Sequence, residues 1–345
     1  MGYTREMDRE TVVITGGAGF VGRYLIEELR LGEPRYSLVV WDRDISRIPE
    51  GVKAALVDIT EPSSYRHHLK TLRPAWIVHL AAVTSVPASL RDPDLTRRVN
   101  VEATRGLLEA VERFSPATNV LVASTATMYD QGSAVPLLEL PLAGMHPSDP
   151  YAQSKWEMER MIEEHFSKRV LRVRPFPHIG PGQSLGFVTA DFSSQIAAIE
   201  ARKQEPVIRV GNLEAQRDFT DVRDVVRAYR LLMGSGVFGE ACPAAERERG
   251  ICGVYHVASG KAVSIRSVLD MLLSFSPVAV EVHEDPQRMR MMDILVLVGD
   301  ARRLREVTGW QPQIPLECSL KDILTWWREH VRVSFPAGVV NASKA

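Results

Sequence analysis

Tyr151 and Lys155, in the run Ser148-Asp149-Pro150-Tyr151-Ala152-Gln153-Ser154-Lys155, stand four residues apart just after a proline that suits the first turn of a helix. That spacing puts a phenol and an ammonium one turn apart on one face. A free tyrosine has a pKa of about 10 and is a poor acid-base catalyst near neutrality, but a fixed cation beside it favours the phenolate. Such a pair is common and inert on a solvated helix face, so its meaning depends on its company. Gly16-Gly17-Ala18-Gly19-Phe20-Val21-Gly22 supplies that company, following an apolar strand at 11–15 and preceding an apolar-periodic helix at 24–29. Glycines there allow a tight turn and let backbone approach a pyrophosphate, while the helix N-terminus offers free N–H groups. A dinucleotide turn in front and a proton donor behind point to hydride chemistry.

The cofactor reading extends to the next strands. A second strand at 37–41 ends in Asp42, twenty residues past Gly22, where a ribose-binding carboxylate belongs. Asp42 favours NAD, because a carboxylate that accepts from the ribose hydroxyls repels a 2′-phosphate. Arg43 keeps NADP open: it either stacks on adenine or meets the extra phosphate, or else forms a solvated charged turn with Asp44. A third strand ending at 57–59 sets Asp58 near the adenine edge, or makes it a helix cap.

These groups need a scaffold. Strands at 75–80, 119–123 and 170–173 alternate with helices at 94–111 and 151–166, the pattern of a Rossmann-type doubly wound parallel α/β sheet. Ligands in such sheets sit beyond the carboxyl ends of the strands, which here carry residues 16–22, Asp42, Asp58, Ala81 to Ser85 and Ser124-Thr125. Past residue 175 the alternation loosens into turns rich in Pro and Gly. The expected division is a dinucleotide-binding domain over 1–175, a smaller C-terminal α/β substrate cap over 176–335 with chain crossing back around 210–235, and a loose tail at 336–345.

Composition bounds the rest. The 345 residues are 45% hydrophobic and 25% charged, as in an ordinary globular chain of one large or two modest domains, and the net charge of −1 carries no nucleic-acid footprint. Cys242, Cys252 and Cys318 have no metal-ligand spacing and argue for a reducing compartment, although Cys242 and Cys252 could pair in an oxidised loop. No apolar run reaches membrane-spanning length and no signal peptide is visible, so a cytoplasmic, metal-free protein is expected.

Taken together the motifs resemble the extended short-chain dehydrogenase/reductase family, which acts on nucleotide-linked sugars. The resemblance covers nearly the whole chain. It rests on Gly16, Gly19 and Gly22, Asp58, Ala81-Ala82, Asn100, the stretch from Ser124-Thr125 to Tyr129, Tyr151 with Lys155, and Arg217-Asp218-Phe219-Thr220-Asp221-Val222. Within the family, His178-Ile179-Gly180-Pro181-Gly182-Gln183 with Gly186-Phe187-Val188, and the run from Val210 to Asp221, look most like the GDP-4-keto-6-deoxy-D-mannose reductases, which make GDP-D-rhamnose or its 4-epimer.

The resemblance implies roles. Tyr151 protonates the C4 oxygen as hydride arrives, Lys155 holds the nicotinamide ribose and depresses the Tyr151 pKa, and Thr125 hydrogen-bonds the same oxygen. Cofactor contacts fall on Gly16, Gly19, Phe20, Val21, Gly22, Asp42, Arg43, Asp58, Ile59, Leu80, Ala81, Ala82, Asn100, Ser124 and His178. Asn100 also supports a local hydrogen-bond network. Substrate contacts fall on Thr84, Thr125, Phe187, Val188, Arg217 and Arg290, the two arginines suiting a pyrophosphate. A homodimer through the two long helices is implied as well.

Departures from the family pattern narrow the reaction. Pro177 replaces the family's asparagine, removing an amide side chain. Met291-Met292-Asp293 follows Arg290 where the family has proline, and residues 237–253 look like an inserted loop. A 4,6-dehydratase carries an acidic residue just after the threonine, whereas this chain has Ala126 and Thr127. A 4-ketoreductase is the expected activity. A 4-epimerase that retains NAD is the alternative, and a binding protein that has lost catalysis is disfavoured by the presence of Thr125, Tyr151 and Lys155.

Overall fold

Strands whose residues are buried on both faces need a covering layer on each side, and the chain supplies helices to both. The computed structural model describes residues 9–33, 35–129, 135–166, 168–237, 246, 248, 251–288 and 294–334. Six strands come first: β1 Glu10–Thr15, β2 Tyr36–Asp42, β3 Lys53–Leu56, β4 Trp76–His79, β5 Asn119–Ala123 and β6 Val170–Pro175. Four short cap strands follow, β7 His178–Ile179, β8 Val207–Val210, β9 Gln216–Asp218 and β10 Thr220–Asp221. The chain then returns to the main sheet as β11 Val254–Val257, before β12 Ala262–Ser264, β13 Glu281–Glu284 and β14 Val296–Leu297. The main sheet has seven strands in the order 11-6-5-4-1-2-3 and every neighbouring pair is parallel.

Helices α1 Phe20–Gly32, α2 Pro62–Leu72, α3 Val86–Arg91, α4 Pro93–Arg97, α5 Ala103–Phe114 and α6 Pro150–His165 belong to the first part of the chain. Later come α7 Val188–Glu200, α8 Val222–Gly234, α9 Ile265–Ser274, α10 Arg302–Thr308 and α11 Leu316–Ser334. Alternate strand residues separate two apolar layers. Val13, Val39, Ile77, Val120 and Val122 face α2, α5 and α6. Val12, Ile14, Val40, Val78 and Leu121 face α1, α8 and α10. Each such side chain contributes about 1.5–3 kcal/mol of burial. The cap has its own core, with Ile196 of α7, Ile208 of β8, Leu269 of α9 and Ile323 of α11 meeting in one cluster.

Three local features differ from the sequence expectation. The helix expected at 94–111 spans 93–114, but a π-helical turn at Arg98–Glu102 interrupts it, and a separate short helix, α3, precedes it. The π turn adds a residue to the winding and carries the buried Asn100. The third strand stops at Leu56, so Asp58 lies two residues past its end. Cys252 is disulfide-bonded and Cys318 is exposed and free. Cys242, Arg290, most of the 237–253 segment and the 336–345 tail lie outside the described residues. Among the described residues, no helix is long and apolar enough to cross a membrane and no cluster of three His, Cys, Asp or Glu side chains could hold a metal.

Candidate active site

The glycine turn is shaped by close backbone approach. Gly16 takes φ +70°, and a Cβ there would lie 2.7 Å from the backbone nitrogen of Ala81, while one at Gly22 would lie 2.5 Å from the Cα of Gly17. Gly19 caps α1 without any side-chain hydrogen bond, so the first-turn N–H groups of Phe20, Val21 and Gly22 present the positive end of the helix to an anion. This cradle fits the pyrophosphate of a dinucleotide. Asp42, at the end of β2, accepts from the Ala18 N–H at 2.9 Å through one oxygen and from Asp44 N–H at 3.2 Å through the other. That holds its carboxylate beside the turn, and Arg43 next to it is exposed. Asp58 is used locally: its carboxylate accepts from both the N–H and the hydroxyl of Thr60, at 2.9 and 2.7 Å, which lowers its pKa. Ile59 beside it is buried.

A continuous buried hydrogen-bond chain runs from the glycine turn to α6. The Thr15 hydroxyl meets His79 Nδ1 at 2.8 Å, His79 Nε2 meets the Thr104 hydroxyl at 3.0 Å, and Thr104 donates to the Asn100 carbonyl at 2.8 Å. Asn100 accepts from the Val83 N–H at 2.8 Å and donates both to the Val83 carbonyl and to the Ser154 hydroxyl at 2.9 Å. Ser154 in turn donates to the Tyr151 carbonyl at 2.7 Å. Asn100 thereby fixes the segment that follows Leu80, Ala81 and Ala82 against the helix bearing Tyr151, and Thr84 stands exposed beyond it.

Tyr151 and Lys155 share the face of α6 that meets the end of β5. Pro150 opens the helix and Asp149 caps it, accepting from the Ala152 N–H at 2.9 Å. Thr125 is 6% exposed and starts a 3₁₀ turn over Ala126–Met128, its oxygen accepting from the Thr127 N–H at 3.1 Å. The Thr125 hydroxyl acts on the Tyr151 phenol and favours its ionised form. Ser124, also buried, precedes them. The expected depression of the phenol by Lys155 is not what the geometry gives. Burial pushes Tyr151 up to about 12, the Thr125 hydroxyl opposes it, and Asp149 adds to the rise. Lys155 is instead directed at the end of β5, its Nζ donating to the Ala123 carbonyl at 2.7 Å, and burial brings its own pKa down to about 8.

Beneath the Tyr/Lys pair lies a charged cluster. Glu159, next on the same stripe, is fully buried and grips Arg174 of β6 in a two-pronged pair, Nε to Oε1 at 2.9 Å and Nη2 to Oε2 at 2.8 Å. Arg174 also donates to the Tyr129 hydroxyl at 2.7 Å, which pairs with His256 Nε2 of β11 at 2.5 Å. Sequence reasoning missed Glu159, Arg172, Arg174, Glu139 and His256. Two signals were legible: Glu159 repeats the i, i+4 spacing from Lys155, and two arginines interrupt the otherwise apolar strand at 170–173 and its end.

The cap closes on the glycine turn. His178 of β7 stacks on Phe20 with ring centroids 6.2 Å apart and planes 4° from parallel. The Tyr24 hydroxyl donates to the Pro181 carbonyl at 2.8 Å and Arg23 to that of Gly182 at 3.2 Å. Phe187 caps α7 and Val188 begins it, both half-buried. Arg217 of β9 donates to the Ile294 carbonyl at 2.5 Å, and its neighbour Asp218 is buried, receiving N–H groups from Ser259, Gly260 and Gly299 at 2.8, 2.9 and 3.1 Å. Pro177 presents its carbonyl to the Thr220 N–H at 3.0 Å.

Comparison with known proteins agrees with this geometry. The family model described as GDP-mannose 4,6 dehydratase matches residues 13–323. GDP-6-deoxy-D-mannose reductase of Pseudomonas aeruginosa is 34% identical over 330 residues, covering 94% of this chain and 99% of that protein. GDP-6-deoxy-D-talose 4-dehydrogenase of Aggregatibacter actinomycetemcomitans is 28% identical, over 86% of this chain and 91% of its own. The solved structure of RMD from Pseudomonas aeruginosa complexed with NADPH superposes with a TM-score of 0.76 at 32% identity, covering 93% of this chain and 99% of that one. The glycine cradle, the Thr125, Tyr151 and Lys155 constellation and these matches have one reading: the chain belongs to the GDP-mannose 4,6 dehydratase family of extended short-chain dehydrogenase/reductases.

Proposed function

We propose that the chain is a nucleotide-sugar 4-ketoreductase that converts GDP-4-keto-6-deoxy-D-mannose to GDP-D-rhamnose or its C4 epimer at the expense of NADH or NADPH. The observation that carries this reading is that Thr125, at the end of β5, acts on the Tyr151 phenol of α6 while Ala126 and Thr127, not an acidic residue, follow the threonine. Ala126 is buried and Thr127 spends its hydroxyl on Thr125 at 3.0 Å, so the acid-base group that a 4,6-dehydratase needs after the threonine is not there. The relative that is 34% identical is itself a GDP-6-deoxy-D-mannose reductase, which supports the choice.

The residues divide the work. When bound, the reduced nicotinamide supplies the hydride that reduces C4. Tyr151 gives its phenolic proton to the C4 oxygen, and Thr125 donates a second hydrogen bond to that oxygen. Lys155 would hold the nicotinamide ribose, and the Thr125 hydroxyl is the group that favours release of the proton from a phenol raised to about 12. The glycine turn, His178 and the ends of β2 to β5 take the dinucleotide, while Thr84, Phe187, Val188, Arg217 and Arg290 take the sugar nucleotide. Residues 1–175 thus mainly serve the cofactor and residues 176–335 the substrate, in a cytoplasmic homodimer joined through α5 and α6.

The test is the loss of reduced-nicotinamide absorbance when GDP-4-keto-6-deoxy-D-mannose is added, with NADH and NADPH in parallel. Asp42 beside the glycine turn favours NADH, and Asp42→Ala shifts the preference toward NADPH. One cofactor oxidised per sugar supports the reading. No oxidation with either cofactor, together with tightly retained NAD, assigns the site to a 4-epimerase instead.

A further inference from the structure

The geometry points to Glu159 as a positioning residue for Tyr151 and Lys155: its buried carboxylate, shared with Arg174, ties the underside of α6 to the turn that bears Thr125. This inference rests on the ketoreductase reading for the identity of the reacting groups. Tyr151, Lys155 and Glu159 lie at successive i, i+4 positions of one helix, and Glu159 is 0% exposed. A carboxylate in that place has a large desolvation cost, and an apolar residue of similar volume would satisfy packing as well or better. The charge therefore calls for an explanation beyond stability.

Arg174 provides it, because one guanidinium reaches both halves of the proposed site. Through Nε and Nη2 it holds Glu159, and through Nη1 it donates to the Tyr129 hydroxyl at 2.7 Å and to the Leu140 carbonyl at 2.9 Å. Tyr129 closes the 3₁₀ turn that starts at Thr125, and its hydroxyl is hydrogen-bonded to His256 Nε2. His256 is neutral, its pKa held well below the usual range by burial, and its backbone N–H is bonded to Glu139 at 3.0 Å. The separation between the Thr125 turn and the Tyr151 helix is thus set by a chain of charged and neutral hydrogen bonds that approaches both from below.

The same carboxylate sets the local charge balance. Lys155 acts on His79 of β4 and feels Glu159 on its own helix, while Glu159 meets Arg172 and Arg174 of β6 and acts on Tyr129 at the end of the 3₁₀ turn; Glu139 and Arg303 act on His256 of β11 and on each other. Burial keeps His79 neutral, with a pKa of about 3; Glu159 pairs with two cations, Arg174 at 2.8 Å and Arg172 at 3.9 Å, and its charge also acts on a third, Lys155, while half-buried Glu163 reaches Arg172 at 3.7 Å. Glu159 acts to keep Lys155 protonated against its burial. Of the three cations Lys155 is the one able to give up its proton, since arginines stay charged.

The experiment follows NADH and NADPH binding by nicotinamide fluorescence from neutral to alkaline pH, alongside kcat and KM, in wild type, Glu159→Gln, Glu159→Asp and Tyr129→Phe. Glu159→Gln is expected to move the alkaline midpoint of cofactor binding down by about one pH unit and to cut kcat by about tenfold or more, with the sugar KM changed less than about twofold. Glu159→Asp restores the midpoint through its charge but only part of kcat. Tyr129→Phe keeps the midpoint and lowers kcat. A folded Glu159→Gln protein with wild-type midpoint and kcat overturns the inference. If that variant does not fold, wild-type kcat in both Glu159→Asp and Tyr129→Phe overturns it equally. Wild-type protein that binds cofactor but leaves the keto sugar untouched rejects the proposed reaction instead, and the midpoint shift still decides the role of Glu159.

Discussion

Replacing Asn100 by alanine should uncouple the cofactor side of the site from the helix that carries Tyr151, and the size of the effect follows from its bonds. Asn100 is 1% exposed and makes three side-chain hydrogen bonds, one from Val83 N–H at 2.8 Å and two to Val83 O and Ser154 Oγ at 2.9 Å. At about 1 kcal/mol net for each bond, the loss is about 3 kcal/mol. Alanine's better helix propensity returns roughly 0.6 kcal/mol, and an N–H of Val83 left without a partner costs about 1 kcal/mol or more. The net expectation is about 3 kcal/mol of destabilisation in a denaturant melt. Ser154→Ala, which removes one of the three bonds, should cost about 1 kcal/mol. Asn100→Asp keeps the Val83 N–H bond but turns an acceptor toward the Val83 carbonyl, so it should be at least as damaging as alanine. Turnover should fall with stability, because the same side chain holds the wall after β4 and, through Ser154, the Tyr151 carbonyl. A loss below about 1 kcal/mol in Asn100→Ala, with cofactor binding unchanged, would refute this account of the π turn.

Other expectations follow from the same geometry. Gly22→Ala places a methyl 2.5 Å from the Gly17 Cα, a backbone contact that cannot swing away; it should cost about 1–3 kcal/mol and weaken cofactor binding, and an equilibrium titration matching wild type would contradict the cradle. The pH dependence of stability should show His79. Its folded pKa lies near 3 against an ordinary 6.5, so the unfolded chain binds the extra proton between those values and stability falls as pH drops from about 6.5 to 3. Buried His256 acts in the same direction, and His79→Gln should flatten the acid slope without abolishing it. An unchanged slope in that variant would mean that the imidazole is not held neutral.

The sheet was legible because its strands are continuous apolar runs bounded by glycine, proline and charge, and because the helices between them keep a 3.6-residue period. The 119–123 run occupies the positions of β5, and the glycine turn joins β1 to α1 as expected. What escaped was set by tertiary contact. The π turn carries Asn100, whose amide bonds Val83 and Ser154, partners 17 and 54 residues away in the chain, which no local propensity records. Lys155 was expected to act on Tyr151 through its spacing, yet its reach to Ala123 O depends on where β5 ends. The Glu159 and Arg174 pair joins a helix to a strand 15 residues away in the chain, and its signal was only that charges stood where apolar residues should. Arg290 lies beyond the described residues, so its substrate role stays with the proposal.

The most direct test of the central claim follows the hydride itself. Cofactor deuterated at the transferable position is incubated with GDP-4-keto-6-deoxy-D-mannose, and the product is analysed by NMR for wild type and Tyr151→Phe. The account predicts one deuterium at C4 of the sugar for each cofactor oxidised, and transfer slowed by at least about 100-fold in the variant, the scale of a lost general acid. Unlabelled product formed without net cofactor oxidation, or undiminished transfer in Tyr151→Phe, would contradict it.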